Sequence, residues 1–234
     1  MNNNIFKEEL LKLNIKLTDY QLEQLEEYYK LLVEWNEKIN LTAIIEKESV
    51  YLKHFYDSLT LSKIINLNED LSVCDIGTGA GFPGIVLKIA FPNLKITLVD
   101  ALNKRINFLN LVIEKLNLKD IKAVHGRMEE YAINHVEEYD IITARAVSHL
   151  SNLLEFGASA CKIGGHLVFM KSDIEEEIKE SSNAIKLLNL EIEKIESFNL
   201  PIEESKRTII SIKKIDKTPN KYPRKFSEIK KNRL

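Results

Sequence analysis

Glycine and proline are scarce in this chain of 234 residues, at eight and five, and neither occurs before Gly77. A turn-rich β architecture needs them at its corners, so residues 1–70 are predicted to form a helical extension. Cysteine is scarcer still, and two residues exclude a disulfide framework. Cys74 lies in an apolar run suited to a buried thiol, whereas Cys161 indicates nothing by itself. No apolar run approaches the roughly 18 residues a helix needs to span a bilayer. The start, Met1-Asn2-Asn3-Asn4-Ile5-Phe6-Lys7, lacks the basic and apolar regions of a secretory signal. The expectation is a cytoplasmic protein with no membrane partner, in which the acceptor-like Asn40-Leu41-Thr42 carries no glycan.

Net charge is also small, at -2, but unevenly spread. Residues 217–234 hold seven Lys or Arg against Glu228 alone, leaving the rest of the chain acidic. A basic C-terminal tail on an acidic body suits a local polyanion contact, and equally a solvated tail without a partner.

What is present is ordered by periodicity. Thr18 and Gln21 have capping-box spacing, and Leu22, Leu25, Tyr29 and Leu32 follow at helical steps. A second helical stretch at 49–65 carries His54 and Asp57 on one face. From residue 71 the pattern becomes short apolar runs near 71–76, 95–100, 121–125, 139–144 and 165–170, separated by helical stretches. Such alternation predicts an α/β fold with right-handed crossovers and a parallel sheet. A charged helix at 173–188 precedes strands near 190–198 and 206–214, joined closely enough to form an antiparallel edge pair. Residues 71–216 thus read as one domain, and 217–234 as a tail partly disordered or draped on it.

Half of the glycines fall between Gly77 and Gly84, directly after an apolar run ending in Asp75-Ile76. Gly79-Ala80-Gly81-Phe82-Pro83-Gly84 spells the dinucleotide motif GxGxxG, so a nicotinamide oxidoreductase is one reading. Pro83 removes a helix-start N–H, and Asp75 adds negative charge where a diphosphate would sit. Both suit S-adenosylmethionine, which has no phosphate and carries an ammonium group; alternatively, Asp75 only fastens the turn. Asp100, 23 residues after Gly77, can accept ribose hydroxyls in either class. Met128 could lie against adenine and Glu129 could read its edge, although core packing and a helix-start charge suit them equally. With Arg145 and Lys171, these residues follow the carboxyl ends of five different strands, which share one crevice in an open parallel sheet.

Several stretches carry a more specific likeness: Trp35-Asn36 with Asn40-Leu41-Thr42, His54-Phe55-Tyr56-Asp57-Ser58, the block Asp75 to Gly84, Asp100 with Lys104 to Leu109, Arg127-Met128-Glu129-Glu130, and Ala144-Arg145-Ala146. On these the chain resembles class I S-adenosylmethionine-dependent methyltransferases. More narrowly, it resembles bacterial small-subunit ribosomal RNA guanine-N7 methyltransferases, the glucose-inhibited division protein B family. The resemblance implies a Rossmann-like seven-stranded, mostly parallel sheet flanked by helices, with an N-terminal helical extension. It further implies methylation of one guanosine of 16S RNA near the decoding site, and sets Gly77, Phe82, Met128, Glu129 and Arg145 at family cofactor positions. Asp75, Thr78, Gly79, Asp100 and Ala101 complete the expected cofactor set.

Guanine N7 has a lone pair and no proton, so transfer needs alignment and no general base. Arg145 is the expected positioning residue; an ion pair is its structural alternative. Lys104, Arg105, Lys171, Arg224 and Lys225 are the candidate RNA contacts. His54 and Asp57 are too few for a metal, and none is expected. The expected partner is small-subunit ribosomal RNA, within a ribosomal particle and presenting an unstacked base to a monomeric enzyme. A non-catalytic RNA-binding factor with a degenerate pocket is the remaining alternative.

Overall fold

The five apolar runs and the two later strands become seven strands of one sheet, whose central members are buried on both faces against helices. A computed structural model describes residues 1–145 and 148–234, so Ala146 of the Ala144-Arg145-Ala146 triplet lies outside the described residues. The strands are β1 (Ser72–Ile76), β2 (Lys95–Asp100), β3 (Ile121–His125), β4 (Tyr139–Arg145), β5 (Cys161–Lys171), β6 (Leu190–Asn199) and β7 (Lys206–Lys214). Their order is β3-β2-β1-β4-β5-β7-β6. The first five run parallel, and β7 is antiparallel to both β5 and β6. The α/β class and the antiparallel edge are therefore as expected. The order reverses beside β1, so the ends of β1 and β4 open a crevice there.

Neighbouring residues on a strand feed opposite cores. Val73, Ile141 and Val168 join a cluster with the N-terminal helices, whereas Cys74, Ile142 and Leu167 join a second one. The first contains Phe6 of α1 (Asn3–Lys12) and Leu25, Tyr28 and Leu32 of α2 (Asp19–Ile39), so the extension shares its core with the sheet. Thr18 and Gln21 close the capping box at the start of α2, Thr18 N–H donating to Gln21 Oε1 at 2.8 Å.

Three expected boundaries shift. The helical stretch near 49–65 is composite: α3 (Lys47–Val50), a π-helical segment Tyr51–Tyr56, α4 (Asp57–Leu59) and a 3-10 turn Thr60–Lys63. Strand β5 starts four residues early at Cys161, where its pairing with β4 is irregular and a Cβ on Gly165 would sit 2.8 Å from Asp140 O. The charged helix divides at Ser181. The pieces between the strands are α5 (Gly84–Ala90), α6 (Asn103–Lys115), α7 (Met128–Ile133), α8 (Leu150–Gly157), α9 (Glu175–Glu180) and α10 (Ser182–Leu187). The tail is draped on the body: Tyr222 and the Ile229 of α11 (Phe226–Lys231) are buried in the second core.

Candidate active site

The loop after β1 is held at almost every polar atom. Gly77 and Thr78 donate backbone N–H bonds to Val99 O at 2.8 and 3.2 Å. Gly77, Gly79 and Gly81 have φ of +61°, +61° and +101°, a region that strains residues with a Cβ. Gly79 N–H donates to Asp100 Oδ2 at 2.9 Å, and the hydroxyl of Tyr28 caps Ala80 O from α2.

Asp75 has a different task from the ammonium contact read from sequence. Its carboxylate is fully buried; Oδ2 accepts from Thr78 Oγ1 at 2.6 Å and Gly84 N at 2.9 Å, while Oδ1 has no hydrogen-bond partner among the described residues. It lines none of the cavities at this end of the sheet, so it fastens the loop to α5. Burial pushes its pKa up to about 7, opposed by those two donors. The Gly84 N–H that a diphosphate would require is thereby consumed, and the residue before it is Pro83. This disfavours a dinucleotide through geometry that the motif alone does not reveal.

Three cavities with shared walls surround the ends of β1, β2 and β4. The first, about 270 Å³, is lined by Gly77, Val99, Asp100, Ala101, Met128 and Glu129, together with Arg127, Phe156 and Phe226. Glu129 is buried, and among the described residues its Oε1 has no hydrogen-bond partner, the Arg127 Nη1 lying 3.9 Å away; burial raises its pKa. An orphaned acceptor beside apolar Val99 and Met128 fits an aromatic amine such as the adenine amino group. Asp100 Oδ2 is engaged by Gly79 N and by Arg105 Nη1, and Oδ1 accepts from Leu102 N. One lone-pair direction of Oδ1 stays open, enough for one ribose hydroxyl where sequence suggested two.

The second cavity, about 370 Å³, adjoins the first at Gly77 and is lined by Thr78, Gly79, Phe82, His54 and Arg145. The third, about 680 Å³, shares Arg145 and His54 with the second and Ser148 with the first. Arg145 therefore stands in the partition. Its Nη1 donates to Lys53 O at 2.9 Å and Asp57 Oδ2 at 3.3 Å, and its Nη2 donates to His54 Nδ1 at 3.1 Å. The guanidinium lies 5.0 Å from the centroid of Phe82, on which His54 stacks at 4.5 Å.

The π-helical segment serves this cluster, for Asp57 N–H bonds back to Leu52 O and Lys53 O accepts from Arg145. Since Arg145 donates to Nδ1, the His54 proton sits on Nε2 and is donated to Thr42 Oγ1 at 2.9 Å. Burial and the adjacent guanidinium lower the His54 pKa to about 3, so the ring is neutral. Asp57 also accepts from Arg207 Nε at 3.2 Å. Arg145 is thus both the ion-paired residue and a wall of the site, and His54 and Asp57 hold it.

Three of the five candidate RNA cations are engaged. Lys171 donates to Glu177 Oε2 at 2.7 Å and Ser148 O at 2.6 Å, Arg105 to Asp100 at 3.2 Å, and Arg224 to Glu155 Oε2 at 2.7 Å. Lys104 and Lys225 are exposed. Among the described residues no group of three or more His, Cys, Asp or Glu is placed to hold a metal. Sequence reasoning missed Arg207, Tyr28 and Phe226, which lie outside the glycine block and reach the site only through the tertiary fold: Arg207 at Asp57, Tyr28 at Ala80 O and Phe226 in the wall of the first cavity.

The sequence model of a family described as rRNA small subunit methyltransferase G matches residues 21–209. The chain belongs to that family. It is 49% identical over 231 residues to Ribosomal RNA small subunit methyltransferase G of Staphylococcus carnosus, covering 97% of this chain and 96% of that protein. To the protein of the same name from Bacillus cytotoxicus it is 51% identical over 228 residues, covering 96% and 95%. Solved structures share the fold. An S-adenosylmethionine-dependent methyltransferase from Aquifex aeolicus superposes with TM-score 0.55 at 19% identity, over 70% of this chain and 93% of that one. Aeropyrum pernix fibrillarin, with natively bound S-adenosylmethionine, gives 0.52 at 16%, over 63% and 68%. As a member of the rRNA small subunit methyltransferase G family, the chain is an S-adenosylmethionine-dependent methyltransferase.

Proposed function

We propose that this member of the family methylates N7 of one guanosine of 16S ribosomal RNA, with its adenosyl subsite in the 270 Å³ cavity and the target base entering the 680 Å³ one. S-adenosylmethionine supplies a methyl group on a sulfonium that a nucleophile with a free lone pair can take. In the first cavity Glu129 Oε1 and Asp100 Oδ1 would accept from the adenosyl group, and Gly77 would let the loop backbone approach it, with Gly79 lining the adjoining second cavity. Arg145, locked by Lys53 O, Asp57 and His54, orients whatever lies on either side of the partition.

One observation carries the choice of N7. The buried and half-buried titratable groups that face the larger cavity are occupied by partners: His54 is neutral with both ring nitrogens bonded, Asp57 is held by two arginines, and Glu177 by Lys171; the remaining carboxylate, Asp173, is exposed at the rim and accepts from Glu175 N at 3.4 Å. A position whose methylation requires proton removal would need one of them free as a base. N7 does not.

The same reading takes a partly assembled small-subunit particle as substrate and a cytoplasmic monomer as enzyme. Mapping methylated nucleotides on 16S RNA from cells with and without the protein tests it: one N7-methylguanosine disappears with the protein. Loss of a methyl group elsewhere, or no loss, would refute it. Calorimetry with S-adenosylmethionine and with NAD separates the nicotinamide reading, which predicts heat only with the latter.

A further inference from the structure

The solvent-facing rim of the 270 Å³ cavity combines the loops after β2 and β3 with one residue of the C-terminal tail. Its exposed members are Phe226, at 38%, Arg127, whose side chain is 46% exposed, and Ala101, whereas Val99, Met128, Glu129 and Phe156 are buried. The Arg127 guanidinium lies 4.1 Å from the centroid of Phe226, and the Phe156 ring 6.4 Å from it. Phe226 belongs to the tail, beyond residue 209 where the family match ends.

Its position is built. Two residues earlier, Arg224 donates from N and Nε to Glu155 Oε1 at 2.9 and 2.8 Å, and from Nη2 to Oε2 at 2.7 Å. The Glu155 side chain is 1% exposed, so this bidentate pair ties the tail to α8 through a buried anion. Three residues later Ile229 is fully buried, fixing the other end of the first helical turn. Between the anchors, an apolar ring with over a third of its surface free lines a cavity whose inner end holds the orphaned Glu129 Oε1.

We propose that Phe226 is a cofactor-binding residue, its ring stacking on the purine of the adenosyl group from the solvent side. The inference rests on the adenosyl subsite assigned above. A purine anchored by its amino group on Glu129 would expose its outer part at this rim. The Arg127 guanidinium covers one face of the Phe226 ring at 4.1 Å, so the stacking contribution comes from the opposite face, which the cation polarises through the ring. The tail then completes the cofactor site as well as carrying positive charge.

Calorimetry with S-adenosylhomocysteine on the full chain tests this. Phe226→Leu keeps apolar bulk and removes the π face; binding should weaken roughly 5- to 20-fold, the lower part of what base stacking supplies. Phe226→Trp should bind as tightly as the parent or tighter. 5′-Methylthioadenosine should lose affinity for Phe226→Leu by the same factor, because the contact is to the adenosyl half, and the ligand-free melting temperature should not move. Binding within twofold of the parent for Phe226→Leu, with Gly77→Asp abolishing it, would overturn the role of Phe226 alone. Undiminished binding by Gly77→Asp would overturn the subsite assignment and this inference with it.

Discussion

At the scale of single residues, Arg145 and Asp75 show how burial converts a motif residue into a structural joint. Sequence reasoning would have Arg145→Ala impair transfer more than folding. The three side-chain and backbone acceptors around its guanidinium change that balance, because truncation leaves the 4%-exposed Asp57 with Arg207 as its remaining cation. Arg145→Ala should therefore lose about 2 to 3 kcal/mol of stability in urea unfolding, below the cost of wholly stripping a buried charge. Arg145→Lys keeps the charge but cannot serve His54, Asp57 and Lys53 O together, so turnover on ribosomal particles should fall roughly 100-fold with a smaller stability loss. For Asp75, burial raises the folded pKa from 3.8 to about 7. The folded chain then holds a proton the unfolded chain has released between those values, and stability falls as pH rises through that window. Replacement by Asn removes this slope, so between pH 5 and pH 8 the parent should lose about 2 to 3 kcal/mol relative to Asp75→Asn.

At the scale of elements, the glycine loop was legible as a cofactor loop but not in the division of labour among its glycines. Gly84 is a packing glycine: a Cβ would lie 2.3 Å from Leu98 Cδ2 and 2.9 Å from Asp75 Oδ2. Gly84→Ala should destabilise the fold by about 1 to 3 kcal/mol through overpacking against β2. Gly126, between β3 and α7, has nothing within 4 Å of its would-be Cβ. Gly126→Ala should stay within about 0.5 kcal/mol of the parent, and thermal melts of the two variants check the contrast. The segment carrying His54 and Asp57 was legible as helical from its spacing. Its π winding was not, since no residue type there announces that Asp57 N–H reaches Leu52 O.

At the scale of the molecule, charge is the informative quantity. The basic tail promised seven cations, yet Arg224 is consumed by Glu155 and holds the tail down. Lys104 and six tail cations, Lys217, Lys221, Lys225, Lys230, Lys231 and Arg233, remain exposed beside an acidic body, so affinity for naked RNA should be salt-dependent in proportion to the phosphates these cations reach. Lys104→Ala and Lys225→Ala should each flatten the slope of log affinity against log salt by about 0.7 to 0.9, without a change in melting temperature. Methyl transfer to an intact or partly assembled small subunit should exceed transfer to deproteinised RNA. Equal rates would remove the need for a particle.

The order of strands and helices, the cofactor loop and the family were determined by the sequence alone, because period-2 and period-3.6 patterns and a glycine cluster are local in the chain. What each charged residue does was decided by tertiary structure. Asp75 faces Gly84, Arg145 faces Asp57 and His54, and Arg224 faces Glu155 across separations of 9 to 91 residues. A carboxylate or guanidinium reads the same in sequence whether it awaits a ligand or already holds a partner. Only the fold supplies the burial that makes an unmet partner costly.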